Sequence, residues 1–285
     1  MSSASRPLRS VLYIPASRTR ALEKARDLPA DAIIFDLEDA VAPDEKEGAR
    51  RTLAEALGAG GYGRRLKIVR INGLDTSWGE QDARAAAQTD ADAILLPKVN
   101  SAADLDRLAG VSRVKPLWAM METPQGMLNA AEIAAHPQLE GMVMGTNDLA
   151  RDIGARYRAD RLPLMSGLGL CLLAAKAQGR AILDGVYNAF RDEDGLKAEC
   201  EQGRDMGFDG KTLIHPAQIA VTNDAFSPSP EDVDLATRQI AAYEAAVAKG
   251  EAVAVVDGRI VENLHVATAR ETLAKVEAIN SMNAE

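Results

Sequence analysis

Eight short, nearly uninterrupted apolar runs recur along this chain, each separated from the next by a segment long enough for a helix. They are VLYIP (11–15), AIIFD (32–36), KIVRI (67–71), AILLP (93–97), PLWAM (116–120), GMVMG (141–145), AILDG (181–185) and KTLI (211–214). A strand that is apolar on both faces has to be covered on both faces, and this pattern points to a parallel sheet wrapped by crossover helices. Eight such units predict an α/β fold, the (β/α)8 TIM barrel, over an open doubly wound sheet with fewer strands and a Gly-rich first turn. No GxGxxG directly follows any of the runs.

Local signals support the helices between them. Pro43-Asp44-Glu45 places proline and acids in the first turn of a helix running to about Leu57, and Ser101 precedes Leu105 and Leu108 at helical spacing. After Phe226 the sequence Ser227-Pro228-Ser229-Pro230 cannot continue a helix. A barrel over residues 1–226 is therefore expected to end there, followed by a C-terminal segment, 227–285. That segment reads as a helix over 231–248, a hairpin AVAVV-DG-RIVE turning at Asp257-Gly258 in type I′ geometry, and a second helix from about Val266. A helix–hairpin–helix extension of this size is expected to lack a core of its own and to act as a lid over a barrel mouth, its own or a neighbour's.

Composition excludes several functions. The 33 basic residues against 42 acidic ones give a net charge of −9 with no long basic run, so nucleic acid is not an expected partner. The N-terminal stretch Met1–Pro7 is polar and no apolar run reaches membrane-spanning length, so no membrane association is expected and the cytoplasm is the expected location. Cys171 and Cys200 lie in helical stretches with no close-spaced partner and read as reduced packing thiols.

In a barrel, side chains at the C-terminal ends of the strands converge on one mouth, where the chemistry sits. Those ends carry Pro15 and Ser17; Asp36, Glu38 and Asp39; Arg70 and Asn72; Lys98; Glu122; Asn147 and Asp148; Asp184 and Asn188; and His215. Acids dominate, and like charges gathered in one place call for a cation. The sequence lacks the His and Cys pattern of zinc, so a hard ion, Mg2+, held by Glu122 and Asp148, is the expected cofactor. The competing reading of Asp148 is a cap on the helix that follows. Arg70 interrupts a buried run and is either bridged to Asp36, Glu38 or Asp39 as scaffold or aimed at an anionic substrate; both can hold at once. Lys98 in LLPKV has the same two readings. Of the histidines, His136 reads as a helix-end residue, His215 as an orienting residue at the mouth, and His265 as a helix start. No GxSxG elbow or strand-end cysteine offers a covalent nucleophile, which leaves metal-assisted chemistry.

The strand-end segments RSVLYIPAS (9–17), IIFDLEDAV (33–41), VRINGLDT (69–76), LLPKV (95–99), METPQGMLN (121–129), GTNDLA (145–150), DGVYNAFRDEDGL (184–196) and GFDGKTLIHPAQI (207–219) occur in order from about Arg9 onward. Together they resemble the citrate lyase β-subunit-like family of CoA-ester enzymes. DLEDAV, GTNDLA and VENLH are most similar to its malyl-CoA lyase and malyl-CoA thioesterase members. The resemblance implies a homotrimer or homohexamer, Mg2+ (with Mn2+ as substitute) on Glu122 and Asp148, and a substrate-binding Arg70. It also implies CoA, as part of the substrate, against Tyr13, Pro15, Ser17, Lys24 and Lys98, and a lid donated to a neighbouring subunit. Arg70, Asp39 and Glu262 are the catalytic candidates. The lyases of this family carry an aspartate on the lid where this chain has Glu262, and the extra methylene displaces a carboxylate by roughly 1 to 1.5 Å, a large change for proton transfer. The expected reaction is accordingly Mg2+-dependent hydrolysis of a malyl-CoA-like thioester to malate and CoA, with Glu262 activating water. Cleavage of the carbon–carbon bond to acetyl-CoA and glyoxylate is the alternative, and a catalytically silent acyl-CoA-binding barrel the third.

Overall fold

The computed structural model describes residues 6–112 and 115–283. The chain divides into two compact units, one spanning Leu8–Phe226 and one containing the segment from Ser227 onward.

The first unit is a closed barrel in which the eight strands follow one another in chain order, all parallel. The strands are β1 Ser10–Pro15, β2 Ala32–Asp36, β3 Leu66–Arg70, β4 Ala93–Leu96, β5 Leu117–Met121, β6 Leu139–Met144, β7 Ala181–Asp184 and β8 Gly210–Leu213. Around them lie α1 Thr19–Lys24, α2 Lys46–Gly58, α3 Gly79–Ala87, α4 Ala102–Ser112, α5 Pro124–Leu128, α6 Ala130–Ala134, α7 Thr146–Asp152, α8 Met165–Ala177, α9 Glu193–Met206 and α10 Ile219–Phe226. The eight apolar runs of the sequence are these strands, shifted by at most two residues. Pro43-Asp44-Glu45 forms a 3-10 turn that leads into α2.

Alternation along each strand creates two apolar layers. Val11, Ile34, Ile68, Leu95, Trp118, Met120, Val143 and Leu183 fill the barrel interior. Leu12, Ile33, Phe35, Val69, Ile94, Ala119, Met142 and Ile182 face outward onto helix residues such as Leu53, Leu105, Leu168 and Phe226. Each of the larger aliphatic and phenylalanine side chains, fully buried, contributes about 1.5–3 kcal/mol. The same parity sends Tyr13, Asp36, Arg70 and Glu122 to the inner side, above the plug formed by Trp118 and Met120.

Parity sends Asp184 the other way, which corrects its placement at the mouth. It shares the outward face with Ile182 and is fully buried, held by Arg161 Nη1 (2.7 Å) and Lys211 Nζ (3.0 Å); Lys211 also reaches Glu199 of α9 at 2.6 Å. This is an ion cluster between strands and helices.

The second unit consists of α11 Pro230–Val247, a two-stranded hairpin, β9 Ala254–Val256 and β10 Arg259–Val261, and α12 Asn263–Asn283. The proline-rich junction that stops one helix also starts the next. Ser229 Oγ accepts from the Asp232 N–H and Asp232 Oδ2 from the Ser229 N–H, with Pro230 in the first turn. Asp257 and Gly258 have φ of 50° and 74°, the two left-handed central residues of a type I′ turn. The last helix starts at Asn263, ahead of Val266, because His265 Nδ1 accepts the Glu262 N–H at 3.0 Å and the Glu262 carbonyl accepts from His265 and Val266. The expectation that this segment has no core needs correction. Ala246, Ala254, Val256, Val261 and Val266 form a small cluster of their own, joined by Leu235, Ile240 and Tyr243.

Cys171 on α8 and Cys200 on α9 are free, buried thiols. Among the described residues no helix is long and apolar enough to cross a membrane.

Candidate active site

Asp36 and Arg70 are register partners at the ends of β2 and β3, so the barrel itself sets them side by side. Arg70 donates from Nε to Asp36 Oδ1 at 2.7 Å and from Nη2 to Oδ2 at 2.6 Å. Each Asp36 oxygen also accepts one loop amide, Oδ1 from Glu38 and Oδ2 from Ala40. Arg70 Nη1 lies 2.7 Å from Glu38 Oε2 and 3.7 Å from Asp39, and the guanidinium sits 4.9 Å above the Tyr13 ring. Burial works against the charge of Arg70, but Asp36, Tyr13 and Glu38 more than offset it and hold the guanidinium protonated well above its ordinary range. These contacts are those of the bridged, scaffold reading of Arg70. Of its five N–H donors, Nε and one on Nη2 bind Asp36, while Nη1 is ion-paired with Glu38.

Glu38 joins this pair to the next strand. Its Oε1 accepts from Lys98 Nζ at 2.8 Å, and its loop is pinned by Lys46 Nζ, which donates to the Leu37 and Glu38 carbonyls, and by Asn72 Nδ2, which donates to Leu37. Burial raises the Glu38 carboxyl above its usual range while Arg70 and Lys98 oppose the shift. Lys98 has φ 52°, a left-handed backbone uncommon outside glycine, and donates its own N–H to Glu122 Oε1 at 2.8 Å.

Glu122 stands just beyond β5 and is 2% exposed. Burial raises its carboxyl to about 8, with the charges of Glu38 and Asp148 pushing the same way and the Lys98 N–H and Arg70 opposing them. Gly145, which precedes α7, makes room for it: a Cβ there would overlap the Glu122 side chain and come within 2.5 Å of Oε2. Asp148, in the first turn of α7, makes no helix cap. It pairs with Arg151 Nη1 at 2.6 Å instead. Across the mouth Asp36, Glu38, Asp39, Glu122 and Asp148 stand against Arg70, Lys98, Arg151 and, under the Glu38 loop, Lys46, a small surplus of acid that a divalent cation would relieve. Among the described residues no group of three or more His, Cys, Asp or Glu is gathered as a metal cage. Two carboxylates suffice for Mg2+, which keeps waters and takes substrate oxygens in its other positions.

The structure thus brings Tyr13, Asp39, Arg70, Lys98, Glu122 and Asp148 together. Pro15 ends β1 in register with Asp36. Ser17 lies in the turn after it, its buried hydroxyl without a hydrogen-bond partner among the described residues, and Lys24 is exposed in the last turn of α1. Glu262 belongs to the second unit, where it is exposed and precedes α12. His215 caps the 3-10 turn at Pro216–Gln218, its Nδ1 accepting from Ala217, and stacks on Phe190 at 4.5 Å. His136 is buried between Asp106 and the Gln138 amide. Sequence reasoning did not single out Lys46 or the backbone of Lys98. Nothing local marks either one, since their partners lie on other strands or loops.

The sequence matches the family HpcH/HpaI aldolase/citrate lyase over residues 9–216 and C-C bond lyase of the TIM-barrel fold over residues 164–279. It is 67% identical to a (3S)-malyl-CoA thioesterase of Cereibacter sphaeroides (strain KD131 / KCTC 12085), covering 100% of both chains. To the L-malyl-CoA/beta-methylmalyl-CoA lyase of Cereibacter sphaeroides (strain ATCC 17029 / ATH 2.4.9) it is 33% identical, over 97% of this chain and 96% of that one. Among solved structures, the protein CitE from Mycobacterium tuberculosis in complex with magnesium, acetoacetate and coenzyme A matches with a TM-score of 0.82 at 33% identity, over 96% of this chain and 99% of that one.

Proposed function

The chain belongs to the HpcH/HpaI aldolase/citrate lyase family, and from that premise we propose that it hydrolyses a (3S)-malyl-CoA-like thioester to malate and CoA. The observation that carries this reading is the 67% identity, end to end, with a thioesterase, against 33% with a lyase.

Glu122 and Asp148 would hold Mg2+, or Mn2+ in its place; the raised carboxyl of Glu122 in an acid surplus supports that assignment. The bound ion would supply Lewis-acid polarisation and a template for substrate oxygens. Arg70 is already oriented by Asp36 and Tyr13, so its guanidinium can meet the oxyanion that develops on the thioester carbonyl without reorganising. Asp39, exposed beside Arg70, completes the acidic rim. Tyr13, Pro15, Ser17, Lys24 and the Lys98 ammonium are the contacts we propose for the CoA moiety. Glu262 is the base we propose for the attacking water, and the second unit the lid we propose to be donated to a neighbouring subunit of a trimer or hexamer. Exposed apolar side chains on the barrel helices, Leu128 and Leu173 among them, support an assembly larger than one chain.

Incubation with (3S)-malyl-CoA and Mg2+, with free thiol and glyoxylate followed together, tests the reading. Thiol should appear as substrate disappears, and Glu262→Gln should slow its release at least tenfold. Glyoxylate formed in step with substrate loss, without thiol, overturns hydrolysis in favour of carbon–carbon cleavage.

A further inference from the structure

The geometry points to Lys98 as a positioning residue that works through its backbone: its left-handed main chain aims the Lys98 N–H at Glu122 and thereby fixes the carboxylate that holds the cation. This rests on the reading above that Glu122 is a metal ligand.

Lys98 is tethered at every polar group. Its N–H donates to Glu122 Oε1 at 2.8 Å, its ammonium reaches Glu38 Oε1 at 2.8 Å, and its carbonyl accepts from Asn100 Nδ2 at 3.1 Å. The next amide, Val99 N–H, pairs with the Met120 carbonyl on β5 at 3.4 Å, which keeps the chain against the strand that leads into Glu122. With both sides anchored, φ cannot leave 52° without withdrawing the N–H or dragging Val99 off β5.

Lysine is not the residue that this conformation favours, since a left-handed backbone costs least at glycine. The lysine side chain does something else, closing the bridge from Glu38 to Arg70. The two roles are thus carried by different atoms of one residue and can be separated. Glu122 Oε1 is held by the Lys98 amide, and the space beside Oε2 is kept open by Gly145. Hydrogen bonds that orient a metal-binding carboxylate in this way typically change metal affinity 10- to 100-fold when lost.

Removing the ammonium while either favouring or penalising φ > 0 isolates the backbone role. Lys98→Gly keeps the N–H and favours the left-handed region, whereas Lys98→Val keeps the N–H but makes that region a severe outlier. Mn2+ binding to the full-length protein is read directly, by electron paramagnetic resonance titration, with Glu122→Gln as the reference and metal-free thermal melts as the folding control. Lys98→Gly should bind Mn2+ within about threefold of the unsubstituted protein, and Lys98→Val roughly tenfold or more weakly. If both bind alike while Glu122→Gln binds poorly, the backbone role of Lys98 is overturned and the ligand assignment stands. If Glu122→Gln binds as well as the unsubstituted protein, the ligand assignment itself falls. Should Lys98→Val show no melting transition, Lys98→Ala replaces it; binding equal to that of Lys98→Gly overturns the inference.

Discussion

Asp36→Asn is the substitution that most directly tests how Arg70 is held. Each Asp36 oxygen accepts one Arg70 N–H and one loop amide, Oδ1 from Nε and Glu38, Oδ2 from Nη2 and Ala40. Asparagine keeps one oxygen and replaces the other with an NH2 group, so in either flip one arginine N–H and one loop N–H face a donor in place of an acceptor. Both side chains are buried, at 1% and 10% exposure, which removes water as a substitute partner. Removing one member of a buried pair costs about 3–5 kcal/mol. Arg70 retains Glu38 at 2.7 Å, so the lower end applies, about 3 kcal/mol. For a domain of this size that corresponds to a fall in Tm of about 6–12 °C. A double-mutant cycle with Arg70→Met isolates the pair, and the interaction energy from calorimetric melts should reach about 2 kcal/mol. Coupling below about 0.5 kcal/mol, or an Asp36→Asn melt within about 2 °C of the unsubstituted protein, would refute the claim that Asp36 holds Arg70.

Gly145→Ala places a methyl group on the Glu122 carboxylate and should weaken Mn2+ binding roughly tenfold; unchanged affinity by calorimetric titration would show that the carboxylate has room to move. Asp184 is fully buried, and although burial pushes its carboxyl up, Lys211 and Arg161 hold it below the usual range. The stability it lends is present above its unfolded pKa of about 4 and is lost as pH falls through its folded value, so Tm should drop below about pH 4 and the drop should be shallower in Asp184→Asn. Identical acid limbs for the two proteins in a pH series of melts would contradict the assignment. Burial raises the Cys171 thiol to about 12 and pushes Cys200 upward, so neither should react with a chromogenic disulfide at pH 8 until denaturant is added. Rapid reaction of the native protein would contradict their burial.

The barrel was legible because each strand is buried on both faces and reads as one apolar block, but that same property hides the parity of the strand ends. Asp36, Arg70 and Glu122 follow Ile34, Ile68 and Met120 at a spacing of two and share their inner face, so reading strand ends as mouth residues succeeds for them. Asp184 follows Ile182 on the outer face, and the same reading fails. Its partners Arg161 and Lys211 are invisible locally: Arg161 lies in the polar stretch RYRADRL yet is 4% exposed, and Lys211 is fully buried in β8. Such residues are specified by ions that arrive from distant segments, and the sequence around each gives the ordinary reading of a surface charge. Lys98 is the converse case, since what matters there is a dihedral angle and no glycine or asparagine announces it. In a barrel the charge pattern of strand ends becomes interpretable only once the inward parity of each strand is fixed by its large side chains. For β5 Trp118 and Met120 do this, and they are the residues from which the inward course of Glu122 follows.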